Sequence, residues 1–135
     1  MTPSIEVDNL SLRYGETTAL DNLSFRLDGG QIYGLLGRNG AGKSSLLAVL
    51  AAFRQATAGA VRIDGQPVFE NPTVTRQICL IRETGDTVAG DESVETALSF
   101  AAEMRPHWDA GYAAKLVERF QLSPRQKVGE LSKGK

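Results

Sequence analysis

One cysteine, Cys79, stands alone in 135 residues, so no internal disulfide can staple the chain. Its place inside the apolar run ICLI predicts a buried core thiol in a reducing, cytosolic compartment. Charge of one sign is also missing as a run: fifteen basic and sixteen acidic residues leave a formal net charge of −1. That balance excludes the basic stripe of a nucleic-acid binder and the polybasic patch of a membrane-surface protein. No window approaches the roughly 20 consecutive apolar residues of a membrane-spanning helix, and the N-terminus MTPSIEVDNL lacks the basic-then-apolar layout of a secretion signal. Internal repeats and low-complexity segments are absent too. The length suits one domain, able to bury roughly two-thirds of its unfolded surface, and is too short for two.

What is present changes character along the chain. Ile5 and Val7, then Leu23, Phe25 and Leu27, alternate with polar neighbours and predict two half-buried strands, the second broken by Gly29-Gly30. IYGLL, Ile32 to Leu36, is apolar almost throughout and reads as a covered parallel strand, as does ICLI further on. Leu46, Leu47, Val49, Leu50 and Phe53 recur at helical spacing, predicting a helix from Lys43 to about Phe53. AVRIDGQPV predicts a hairpin turning at Asp64-Gly65. Two amphipathic helices follow, one striped by Val94, Ala97, Leu98, Ala101 and Met104, the other by Tyr112, Ala113, Leu116, Val117 and Phe120, with Pro106 between them.

Between the run IYGLL and the first predicted helix lies GRNGAGKS, Gly37 to Ser44. Gly37, four residues, then Gly42, Lys43 and Ser44 satisfy the phosphate-loop pattern, in the strand-before, helix-after setting that the pattern requires. Glycines reach backbone angles closed to other residues, so the N–H groups of Arg38, Asn39, Gly40, Ala41 and Gly42 can converge on phosphate oxygens without a side chain in the way. The helix start, with Ser45 in its first turn, adds unpaired N–H groups and partial positive charge. Lys43 would supply a full charge to the β and γ phosphates, and the Ser44 hydroxyl one oxygen to a magnesium ion that keeps several waters. The bland alternative is a glycine-rich strand-to-helix turn that binds nothing.

A phosphate loop does not choose among kinases, GTPases and transport ATPases. Neither the N/T-K-x-D base-reading string nor the D-x-x-G switch of GTPases occurs here. RYGETTALDNLSFRLDGGQIYGLLGRNGAGKSSLL, Arg13 to Leu47, resembles the N-terminal half of ATP-binding-cassette (ABC) ATPases, and the order of elements agrees over nearly the whole chain. The resemblance implies an α/β P-loop NTPase fold of the ABC type: an antiparallel β-subdomain at the N-terminus, a parallel core sheet and part of a helical subdomain. The first two would occupy residues up to about 83, the helical part residues from about 90 to 135, the whole being an incomplete domain.

The resemblance also assigns roles. Tyr14 takes the place of the family's adenine-stacking aromatic; alone, it reads equally as an aromatic covering the small sheet. Glu83 stands where the family has a glutamine approaching magnesium and the attacking water, or else is a solvated charge at a strand end. A carboxylate there would repel a triphosphate by about 4 kcal/mol per pair of unit charges at ~4 Å and effective dielectric ~20, so metal-free ATP is expected to bind poorly. LSKGK, Leu131 to Lys135, resembles the LSGGQ signature that caps a partner's ATP, with Leu131, Ser132 and Gly134 matching and Lys133 and Lys135 departing. Ser132 and Gly134 would then meet the nucleotide of a second subunit; read locally, the string is a helix cap. His107 precedes that string, where the family's switch histidine follows it, and is expected at the surface or in a cap, with Trp108 a packing anchor.

The stretch EMRPHWDAGYAAKLVERFQL looks most like ATPases that serve bacterial export systems (ABC-2 type) with separate permease subunits. The family's magnesium-binding aspartate, its water-polarising glutamate and its switch histidine all follow the signature, so no catalytic residue is expected in this chain. It is expected to bind ATP and Mg2+ without turnover, to pair with a second ABC ATPase subunit, identical or not, and to dock on a membrane permease from the cytoplasmic side. A soluble, non-transport ABC ATPase, and a small P-loop kinase or nucleotide sensor, remain the alternatives.

Overall fold

The computed structural model describes residues 3–82 and 88–131. The chain forms two compact units, residues 1–80 and 81–135.

The first unit is built on an antiparallel hairpin longer than local alternation suggests. Strand β1 (Ile5–Tyr14) pairs with β2 (Thr17–Leu27) across the tight turn Gly15-Glu16, and β1 pairs on its other edge with β3 (Ala58–Ile63), which turns into the short β4 (Gln66–Pro67). The sheet order is β2-β1-β3-β4. Strict alternation would place Val7 and Leu10, three residues apart, on opposite faces. Both are buried, because Asn9, at φ +47°, interrupts the ladder and resets its phase. The Asn9 N–H that leaves the ladder donates to Ser24 Oγ at 2.8 Å, and the matching irregularity on β2, at Asn22, is satisfied by Ser11 Oγ at 2.9 Å. Two serines thus absorb the backbone groups that the bulges release.

Helix α1 (Lys43–Leu50) lays Leu46 and Val49 onto the sheet. With Val7, Leu10, Leu12, Leu20, Val61, Ile63, Val68 and Val74 they form one apolar cluster. A four-residue helix α2 (Pro72–Thr75), capped by the Asn71 side chain, adds Val74 to it.

Helix α1 stops three residues before Phe53. Ala52 N–H donates to Val49 O at 3.1 Å and Phe53 N–H to Ala48 O at 2.9 Å, the paired bonds of a Schellman cap. Ala52, at φ +60°, occupies the left-handed position that glycine usually fills. Ala52→Gly is expected to raise stability by about 1 kcal/mol, since the Cβ penalty of that conformation disappears; the shift of the denaturant midpoint at unchanged slope measures it.

The parallel core expected from the sequence does not form among the described residues. Residues 32–36 and 78–81 belong to no strand; Ile32 and Leu36 are almost fully exposed, as is Ile81. A parallel strand reaches its neighbours only through crossover connections and is stable only when covered on both faces, and neither run has a sheet partner here. The same fact corrects the expectation for Cys79, which is exposed rather than buried.

The second unit carries α3 (Val94–Met104) and α4 (Ala110–Arg119), the two helices read from their apolar stripes. Each is capped by a side chain: Ser93 Oγ accepts from Thr96 N–H at 3.1 Å, and an Asp109 carboxylate oxygen from Tyr112 N–H at 2.8 Å. The segment ending in a 3-10 turn (Val128–Glu130) returns to the start of α3, where Val94 N–H donates to Gln126 O and Val128 N–H to Glu92 O. His107 is exposed and Trp108 half-buried.

Candidate functional site

Loop 37–42 enters α1 through two left-handed glycines, Gly40 at φ +83° and Gly42 at φ +87°. They serve different ends. A methyl on Gly40 would meet open space, whereas one on Gly42 would lie 2.4 Å from Ala19 O and 3.1 Å from Leu20 Cδ2. Gly42 is therefore where the start of α1 rests directly on the backbone of β2. Gly37 meets only ordinary contacts to Ala41 and Lys43, so its place in the motif is not required by space within this loop.

Gly42 is the residue before the helix and offers no side-chain cap, and no acidic residue lies in the first turn. Helix geometry leaves the N–H groups of Lys43, Ser44 and Ser45 without intrahelical acceptors. The result is a concentration of uncapped donors at the positive end of α1, suited to an anion.

Lys43 is folded back across the loop: its ammonium donates to Gly37 O at 2.6 Å and to Arg38 O at 2.8 Å. Two carbonyls thus hold the charge beside the same N–H groups. Arg38, Asn39, Gly40, Ala41 and Ser44 are exposed, and Ser45 is half-buried.

The donor set around the loop also bears on magnesium. Among the described residues no group of three or more His, Cys, Asp or Glu side chains is placed to hold a metal ion. What the loop offers is the exposed hydroxyl of Ser44. That fits a magnesium ion whose remaining ligands are phosphate oxygens and water, and does not fit a metal held by protein alone.

Tyr14 ends β1 beside this loop. Its hydroxyl lies 3.2 Å from Ser45 Oγ, and the Arg54 guanidinium carbon sits 4.9 Å from the centre of its ring. The structure thus brings Tyr14, Ser45 and the phosphate-loop residues together. Arg54 is the member that sequence reading misses, because a single arginine after a helix carries no pattern. Glu83, Ser132 and Gly134 lie outside the described residues.

A family model described as "ABC transporter" matches residues 20–135. A ribose import ATP-binding protein of Pseudomonas putida is 46% identical over 66 residues, covering 49% of this chain and 13% of that protein. The ABC transporter ATP-binding protein YtrB of Bacillus subtilis is 28% identical over 130 residues, covering 96% of this chain and 44% of that one. A solved structure described as the ATP binding subunit of an ABC transporter superimposes with a TM-score of 0.82 at 29% identity, covering 96% of this chain and 56% of that one. The chain spans less than half the length of the two curated relatives.

Proposed function

Because the chain belongs to the ABC transporter family, matched from residue 20 to residue 135, we propose that it forms part of the ATP-binding component of a membrane transporter. In this reading loop 37–44 takes the phosphates of magnesium ATP. The observation that carries it is the uncapped start of α1 with the Lys43 ammonium held against the loop at 2.6 and 2.8 Å. Donors and a full positive charge converge there with no acidic side chain in the first helical turn to oppose them.

Each remaining residue has a place in the same reading. Backbone N–H groups from Arg38 to Ser45 wrap the phosphates, Ser44 offers its hydroxyl to magnesium, and Tyr14 offers its ring to the base. Glu83 approaches the metal and water, while Ser132 and Gly134 contact the nucleotide of a second ATPase subunit across a dimer. The partner in the membrane is a permease, reached from the cytoplasmic face. No described helix is long and apolar enough to cross a membrane. The finer assignment, to ATPases of bacterial export systems, rests on the stretch from Glu103 to Leu122; the relatives named above do not single out that subgroup.

Titration of the chain with ATP and with tripolyphosphate, each with and without magnesium, tests the site. Magnesium ATP is expected to bind more tightly than magnesium tripolyphosphate, by the ~1–3 kcal/mol of base stacking, and omission of magnesium is expected to weaken both. Phosphate release is expected to stay at the background given by Lys43→Ala, since this chain is proposed to hold nucleotide without splitting it. Equal binding of ATP and tripolyphosphate would remove Tyr14 from the site, and absence of binding to either would remove the site.

A further inference from the structure

Two contacts fix the ring of Tyr14. One is at its hydroxyl, 3.2 Å from Ser45 Oγ in the first turn of α1; the other is at its face, where the Arg54 guanidinium lies 4.9 Å from the ring centre. Arg54 is in turn placed by the end of the same helix. The Schellman cap at Ala52 turns the chain back, and Arg54 N–H donates to Ala48 O at 3.2 Å. Both ends of α1 therefore hold one tyrosine, the start through a hydroxyl and the end through a cation. Tyr14 as a residue nevertheless remains 41% exposed.

An aromatic ring has two faces, and a cation occupies one of them through the ring quadrupole. We propose that Arg54 is a positioning residue for the nucleotide base: it covers one face of Tyr14, fixes the plane of the ring, and leaves the opposite face as the stacking platform. The inference rests on the nucleotide-binding reading given above. A ring already ordered from behind spares the base the entropy of ordering it. A planar guanidinium suits this work better than an ammonium, since it stacks flat and is weakly hydrated. Arg54 itself is exposed and belongs to none of the buried apolar cluster, so its replacement leaves the core untouched.

The test compares magnesium ATP with magnesium tripolyphosphate by calorimetric titration of the full chain, in the parent, Arg54→Ala, Arg54→Lys, Tyr14→Ala and the Arg54→Ala/Tyr14→Ala double variant. Arg54→Ala is expected to weaken ATP about threefold to fivefold and to leave tripolyphosphate unchanged. Arg54→Lys recovers part of the loss. On the Tyr14→Ala background, Arg54→Ala adds nothing. Four results overturn the proposal while leaving the nucleotide site standing: tighter ATP binding by Arg54→Ala, which makes the guanidinium a competitor for the base's own face; equal loss of ATP and tripolyphosphate, which makes it a phosphate contact; no change in ATP; or full additivity with Tyr14→Ala. A parent protein that takes up neither compound overturns the site and this proposal together.

Discussion

Lys43→Ala lowers the affinity for magnesium ATP by roughly fivefold to seventyfold, and for magnesium tripolyphosphate by the same factor. The size follows from charge. A unit charge ~4 Å from a phosphate charge contributes about 4 kcal/mol at an effective dielectric of ~20. Part of that gain is offset, because the ammonium already donates to Gly37 O and Arg38 O, and hydrogen bonds to a charged group are worth about 1.5–3 kcal/mol. A residual of about 1–2.5 kcal/mol corresponds to roughly fivefold to seventyfold. Alanine also leaves those two carbonyls without their donor, so the loop loses the contact that holds it closed over the helix start. Lys43→Arg is expected to rescue poorly, since a planar fork cannot occupy a position set by a point-like ammonium between two carbonyls. Calorimetric titration reads the result, and affinity within threefold of the parent would show that the loop does not hold phosphate through this residue.

Gly42→Ala destabilises the chain by about 2–5 kcal/mol and weakens nucleotide binding, because it displaces the start of α1 that carries the loop. The left-handed conformation at φ +87° costs an L-residue roughly 1–2 kcal/mol. The new Cβ would also stand 2.4 Å from Ala19 O, a backbone atom inside β2 that cannot step aside without disturbing the pairing of Leu20 with Leu12. Overpacking of this kind typically adds 1–3 kcal/mol. Gly40→Ala is the control: it shares the left-handed angle, at φ +83°, but meets nothing within 4 Å, so only the conformational cost of about 1 kcal/mol is expected. Unfolding in denaturant separates the two. If Gly42→Ala proved as mild as Gly40→Ala, the start of α1 would not be seated on β2 as described.

Those two glycines also show how far sequence reading reaches. The spacing of Gly37, Gly42, Lys43 and Ser44 marks the loop, but both glycines look alike in the string, and only their surroundings separate a position that needs room from one that needs an angle. The strands were legible where side chains alternate strictly, at Ile5 and Val7 and from Leu23 to Leu27. They were not legible around Asn9 and Asn22, where bulges shift the phase. The hairpin at Asp64-Gly65 was readable because both residues take positive φ, +49° and +75°, which a two-residue turn favours. IYGLL and ICLI were readable as apolar and nothing more: a strand buried on both faces has no periodicity, and whether it pairs depends on neighbours that a local pattern does not name.

By itself the sequence determined the phosphate loop, the two amphipathic helices of the second unit and the antiparallel character of the first, because glycine torsions, helical period and turn chemistry act over a few residues. Only the tertiary structure decided that Tyr14 meets Ser45 and Arg54, that Gly42 rests on Ala19, and that Cys79 and the run from Ile32 to Leu36 are exposed. Those outcomes depend on which distant segments come to pack or to pair. Burial and cross-strand hydrogen bonding are properties of a pair of surfaces, and a single stretch of chain specifies one of the two.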